Sequence, residues 1–330
     1  VRTSMPVLNT DLIYNRKIQQ QQVVMMEYEV EIYKRELVRD IKRAYFLYLT
    51  ANEAVNIYQT ALTRANEGKR VNESLLANGK GLPAYVLRSE SEIESIRTQV
   101  TESEKQIHNA QLYFNFLLNR NPEEPIVSDY EAKEDVDATA LLLSQPSGVQ
   151  QREELLQIKT AASIQENIVK MNQLYWSPRL NAFLDLGSQQ HDWEFNDQSR
   201  YFLFGLQLDM PLFAGSINKN KIRQAQLDVK NTEHGYQLTN QQLEMNMRVA
   251  RNAVESAYQG YQSSLKQYDA AESYQRLIEK GYKEGVNTFI EAVDARNQLT
   301  NAQLQVTINQ YRVLIAMANY ERETASHTFN

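Results

Sequence analysis

The side chains that most often carry catalysis are few and far apart in this chain. Its four histidines, His108, His191, His234 and His327, are scattered, with no ligand spacing of four residues and no carboxylate constellation. Cysteine is absent, which excludes disulfides and Cys-ligated metals. No glycine-rich phosphate loop occurs. The net charge is −6 and no stretch is strongly basic, so nucleic acid is not an expected partner. These residues predict no enzyme, no cofactor and no metal. The informative chemistry is that of surfaces, namely which apolar faces exist and what must cover them.

One such surface lies in residues 175–215. Pro178 stops a preceding helix and strict alternation follows. Leu180, Ala182, Leu184 and Leu186 share one face, while Asn181, Phe183, Asp185 and Gly187 share the other. After a polar turn around His191–Ser199, Phe202, Phe204, Leu206, Leu208 and Met210 line one face, opposite Tyr201, Leu203, Gly205, Gln207 and Asp209. Each strand runs for about ten residues, the length a tilted membrane strand needs. Tyr175, Trp176, Trp193, Phe195 and Tyr201 flank the pattern as an interfacial girdle would. An ordinary antiparallel hairpin packed on one face has the same pattern. A lone hairpin has open edges, and no other strand is evident here to cover them.

The elements that position this segment are helical. Among 330 residues only 11 are Gly and 7 are Pro, a balance that favours long helices. Two copies of one layout recur at a spacing of 204–205 residues. Met5-Pro6 matches Met210-Pro211, Gly81 matches Gly285, Tyr85-Val86 matches Phe289-Ile290, Glu90 matches Asp294 and Gln99 matches Gln303. Each copy reads as Met-Pro, a long helix, a Gly-bearing turn and a shorter helix. The long helices are expected over Leu12–Asn78 and Ser216–Glu284, and the short ones from Pro83 to Asn121 and from Thr288 to Glu323. A further helix, Gln151–Leu174, precedes the strands. At about 1.5 Å per residue the long helices reach roughly 100 Å, and a short helix plus the third (about 55 and 35 Å) nearly equals one of them.

Both long helices carry two apolar seams. In the first these run Leu37, Ile41, Ala44, Tyr48, Ala51, Val55, Tyr58, Leu62, Ala65 and Leu47, Ala54, Ile57, Ala61. In the second a small seam (Ala250, Ala253, Ala257, Gly260, Ser264) runs beside a large one (Val254, Tyr258, Tyr261, Leu265, Tyr268). Two seams suit a helix with a neighbour on each side, as in a ring around a hollow, and equally a bundle with a wide buried face. Pro122–Gly148 is acidic and irregular and reads as a side insert. No run of about 18 apolar residues occurs, so any contact with a bilayer must be made by strands.

With these features in order, the chain resembles the TolC family of bacterial outer-membrane efflux proteins. The resemblance rests on the duplicated layout, Pro211–Gly215 leaving a strand for a long helix, Tyr175–Pro178 entering one, and the tips Gly79–Leu82 and Tyr282–Thr288. It covers essentially the whole chain. It implies a mainly α fold with a small membrane β part, in which long helical hairpins form an α-barrel and strands contribute to a trimeric twelve-stranded β-barrel. The domains become a first repeat at 1–121, opening on the end of a strand, an equatorial insert at 122–150 and a second repeat at 151–330. On the resemblance, the first repeat would have its own upper helix and first strand ahead of Met5, so its start is expected to be missing.

The implied function is a passive conduit in the outer membrane of a Gram-negative bacterium, reaching into the periplasm. Its implied partners are two further copies, a periplasmic adaptor, an inner-membrane transporter and outer-membrane lipid. A periplasmic adaptor or a structural coiled coil is the competing reading. Leu184, Phe202, Phe204, Leu206 and Leu208 would face lipid. Glu291 and Asp294 match the acidic residues that narrow the periplasmic end; three-residue spacing puts both on one helix face, where a trimer would stack them as rings. Tyr282, Asn287, Gly81 and Gly285 match the tip, where neighbouring helices are latched and the adaptor is met. Asn287 stands where the family has an Arg, so a charged latch is not expected.

Overall fold

The computed structural model of the chain describes residues 1–144, 152–188 and 200–329. Its elements, in order, are β1 (Arg2–Leu8), α1 (Thr10–Ala77), α2 (Pro83–Leu117), α3 (Ala132–Ser144), α4 (Glu153–Gln173), β2 (Arg179–Ser188), β3 (Arg200–Asp209), α5 (Ile217–Lys283) and α6 (Phe289–Thr324). The turn at His191–Ser199, with Trp193 and Phe195, lies outside the described residues, as does Gln151. Two compact units divide the chain, Val1–Tyr33 with Gln151–Gln242 and Lys34–Gln150 with Leu243–Asn330.

The first unit holds the three strands, α4 and the opening parts of α1 and α5. The sheet is antiparallel in the order β1-β2-β3. Alternation alone shows no partner for the hairpin, yet β1, at the strand end with which the first repeat is expected to open, pairs with β2 from Arg2↔Asp185 to Leu8↔Leu180. This strand escapes a reading by alternation because it is short, and a register shift between Pro6 and Leu8 breaks its period. Pro178 ends the helical stretch after a single 3₁₀ turn at Leu174–Trp176. An Arg179–Asp11 ion pair at 2.5 Å ties the start of β2 to the first turn of α1. Gln21 on α1 donates to Ser163 at 2.7 Å and accepts from buried Asn167 at 2.8 Å, which fixes α4 beside α1.

The second unit is built from α2, α3, α6 and the remaining lengths of α1 and α5. Its core gathers Phe46 and Leu49 of α1, Met247, Val254 and Tyr261 of α5, and Val313, Leu314 and Tyr320 of α6, closed by Ala132 and Val136 of α3. The seams read from sequence are redistributed. On α5, Leu243, Met247, Ala250, Val254, Ala257, Tyr261 and Ser264 form one buried stripe with alternating steps of four and three, drawn from both expected seams. Ala253 is exposed. By contrast, α1 has two buried faces, which include Phe46 and Leu49 but leave Leu47 exposed. Neighbours stand on both sides of it: Tyr58 donates to Gln99 of α2 at 3.3 Å, and Arg64 donates to Gln303 of α6 at 3.1 Å.

The segment expected to be irregular contains a helix. Glu134 and Asp135 occupy the first turn of α3, where acidic groups favour the helix dipole. Four-residue spacing then turns Ala132 and Val136 onto one inward face. What resembles a solvated acidic run is thus the polar side of an amphipathic helix.

Candidate functional sites: an apolar sheet face and the helical tip

Register decides what the sheet presents. Residues directly opposite in an antiparallel pair share a face. Leu180, Ala182, Leu184 and Leu186 stand opposite Leu208, Leu206, Phe204 and Phe202, so the apolar sides of both strands merge into one surface. On β1, Met5 joins it opposite Ala182. Among the described residues nothing covers the β3 side of this face: Phe202 is 78% and Leu206 62% exposed. The other face is mixed: Arg2 stands against Asp185 and Asn181 against Gln207, with Phe183, Leu203 and Tyr201 among them. Its aromatic Phe183 lies flat over Gly205, where an added Cβ would come within 2.6 Å of the ring. The Arg2 guanidinium sits 4.5 Å from the centre of the same ring.

The helical hairpins α1–α2 and α5–α6 turn in the same way. Gly79 and Gly285 take left-handed φ of 71° and 80°. Behind each, a hydrogen bond closes from Lys80 N to Leu75 O at 2.8 Å and from Val286 N to Gly281 O at 2.8 Å. Gly79, not Gly81, is therefore the conformational counterpart of Gly285. Gly81 serves close approach, since a Cβ there would stand 2.8 Å from the Leu76 amide nitrogen.

Tyr282, in the last turn of α5, donates its phenolic O–H to Asn72 Oδ1 on α1. Asn72 Nδ2 donates to Ser89 Oγ on α2 at 2.8 Å, and Ser89 donates to the Tyr85 carbonyl at 2.9 Å. Asn72 and Ser89 are buried, and burial pushes the Tyr282 phenol above its ordinary value. Buried Phe289 packs between Tyr85 and Tyr282, with ring centres 4.9 and 6.0 Å away. Asn287 bonds within its own turn: its amide nitrogen donates to Gly281 O at 3.1 Å, and its Nδ2 reaches Glu291 Oε2 at 3.4 Å.

Glu291 and Asp294 are both exposed on the first turns of α6. Glu291 caps its own helix. Its carboxylate accepts from the Thr288 amide at 2.7 Å, while Thr288 Oγ1 accepts from the Glu291 amide at 3.3 Å. The Thr288 backbone and hydroxyl hold this carboxyl below the ordinary carboxylate range. Asp294 accepts from Gln298 Nε2 at 2.6 Å.

Reading single motifs missed Asn72, Ser89 and the buried pair Arg296–Glu92, in which Arg296 Nη2 donates to Glu92 Oε2 at 3.0 Å. A signal did exist for the last: Glu92 and Arg296 are 204 residues apart, the repeat spacing, with opposite charges at matched positions. Among the described residues, no cluster of His, Cys, Asp or Glu could hold a metal, and no helix is long and apolar enough to cross a membrane.

An apolar strand face joined to long coiled helical hairpins defines a membrane channel component of the α-barrel and β-barrel type. The family model described as "Outer membrane efflux protein" matches residues 149–321, just over half of the chain. The structure is similar to the outer-membrane channel OprN, with a TM-score of 0.80 at 14% identity, covering 99% of this chain and 74% of that one. It is similar to the Campylobacter jejuni CmeC outer membrane channel, with a TM-score of 0.78 at 16% identity over 98% and 70% of the two chains. It also resembles the open state of the Neisseria gonorrhoeae MtrE outer membrane channel, with a TM-score of 0.79 at 17% identity over 97% and 73%. No curated protein matches the sequence.

The chain belongs to the outer membrane efflux protein family. It is an efflux channel protein of the Gram-negative outer membrane, extending into the periplasm, and its family is one of channels, not enzymes. The periplasmic adaptor and the purely structural coiled coil are thereby set aside.

Proposed function

We propose that three copies of this chain close into one passive conduit, without catalytic activity, that receives substrate from an inner-membrane transporter through a periplasmic adaptor. The sheet carries the proposal. An apolar face that stands in lipid requires every backbone donor and acceptor to be paired, so a membrane sheet must close on itself. The order β1-β2-β3 leaves β1 and β3 with one open edge each among the described residues. Further strands, those of other copies among them, satisfy those edges and place Leu184, Phe202, Phe204, Leu206 and Leu208 against lipid. In this reading the chain is two repeats, 1–121 and 151–330, around an insert at 122–150. Glu291 and Asp294 of three protomers converge as the periplasmic constriction. The turns with Gly81, Gly285, Tyr282 and Asn287 meet the adaptor. Mass measurement of the detergent-extracted particle tests the assembly: a threefold mass is expected, and a monomeric or dimeric mass with intact helicity would overturn it.

A further inference from the structure

The second unit buries one complete ion pair at its tip. Arg296 on α6 grips Glu92 on α2 with two prongs, Nη2 to Oε2 at 3.0 Å and Nε to Oε1 at 3.3 Å. Both side chains are only 6% exposed. Such a pair contributes little net stability, because desolvation offsets the attraction, yet removing one partner strands a charge. Its distinctive property is geometric, since a planar guanidinium fork accepts a carboxylate in few arrangements. The fork is also held from behind. At Gly68 of α1, an added Cβ would stand 3.1 Å from the guanidinium carbon, so the fork lies flat against that helix. Three helices therefore meet at one side chain. Arg296 follows Glu291 and Asp294 within two turns of the same helix, so what fixes Arg296 fixes them.

We infer that the Glu92–Arg296 pair, seated against Gly68, is a positioning clasp that sets the separation of α2 and α6 at the tip and thereby the placement of Glu291 and Asp294. The second half of this inference rests on the proposed reading of those acids as the constriction.

Because the chain has no cysteine, L87C and I290C, at exposed positions of α2 and α6, provide a clean pair of spin labels. The labelled chain is diluted in unlabelled protein, so that each detergent-extracted particle carries one pair. A narrow distance distribution is expected for the parent. E92Q, which removes the charge, and G68A, which displaces the fork without touching either charge, should both shift it to longer distances and broaden it. G68A is the sharper test, because Ala otherwise favours a helix over Gly. R296K keeps the charge but not the fork and should fall between. An unchanged distribution in both E92Q and G68A would overturn the clasp. In planar bilayers the same two variants should lose part of the cation-over-anion permeability ratio. Broadened distances with an unchanged ratio would uphold the clasp and overturn the placement of Glu291 and Asp294 at the constriction.

Discussion

At Glu291 two demands meet on one carboxylate. As a cap it accepts hydrogen bonds from Thr288, which favour its charged form and hold its pKa down. A lowered folded pKa means that its stabilisation is present above the unfolded carboxylate's value and is lost as pH falls through the folded one. Hydrogen exchange in the first turn of α6 should therefore accelerate, beyond the intrinsic pH effect, on that acidic descent. T288A should cost about 1 kcal/mol of local helix stability and flatten the response; an unaltered profile would mean that the cap is not formed in solution. In the proposed constriction, crowding of like charges would push the pKa the other way. Tyr282 makes a different demand. Y282F would leave Asn72 Oδ1 buried without its donor, at a cost of about 1–3 kcal/mol. Faster exchange in the last turns of α1 and first turns of α2 is the expected readout, and a neutral result would mean that Asn72 finds another donor.

On the scale of elements, the two faces of β3 should respond in opposite ways to the same substitution. L206R places a charge on the apolar face and should cost about 2–4 kcal/mol if the residue sits near the bilayer midplane. Q207R, one residue along, falls on the opposite face beside Asn181 and should be tolerated. Equilibrium folding into lipid vesicles compares them, and equal costs would mean that the sheet has no lipid side. Among the helices, α1 buries two faces and α5 a single stripe within the second unit. Exposed apolar residues left along α5, such as Met245, Val249 and Leu277, are the surface that further copies would cover.

For the whole molecule, the function follows from closure. A channel protein of this family needs an enclosed path, and the sheet formed by the described residues is open at both edges. If three tips converge, the exposed Glu291 and Asp294 side chains line the narrowest water and favour cations. E291A/D294A should then lower cation selectivity and weaken block by multivalent cations in single-channel recordings, with trimer stability little changed. Wild-type selectivity and block in the double variant would place the narrowest point elsewhere.

What the amino-acid sequence determined by itself is whatever local rules decide. Alternation from Leu180 to Leu186 and from Phe202 to Met210 needs no partner to be read, and it assigns each strand an apolar side. Gly and Pro punctuation, at Pro83, Pro178 and Gly285, bounds helices of all three lengths within a few residues of their ends in the structure. The duplication is equally a property of the string. The tertiary structure alone decided which of these surfaces meet. A helix face shows that it is apolar but not which neighbour covers it, so two seams on α5 became one stripe while α1 kept two faces. Val136 reads as part of an acidic insert until the helix turns it inward to complete burial. Asn72 accepts from Tyr282, 210 residues away, and Arg296 holds Glu92 across 204. Pairings at such separations leave almost no local trace, because burial and hydrogen bonding act on distance in space, and only the folded chain sets that distance.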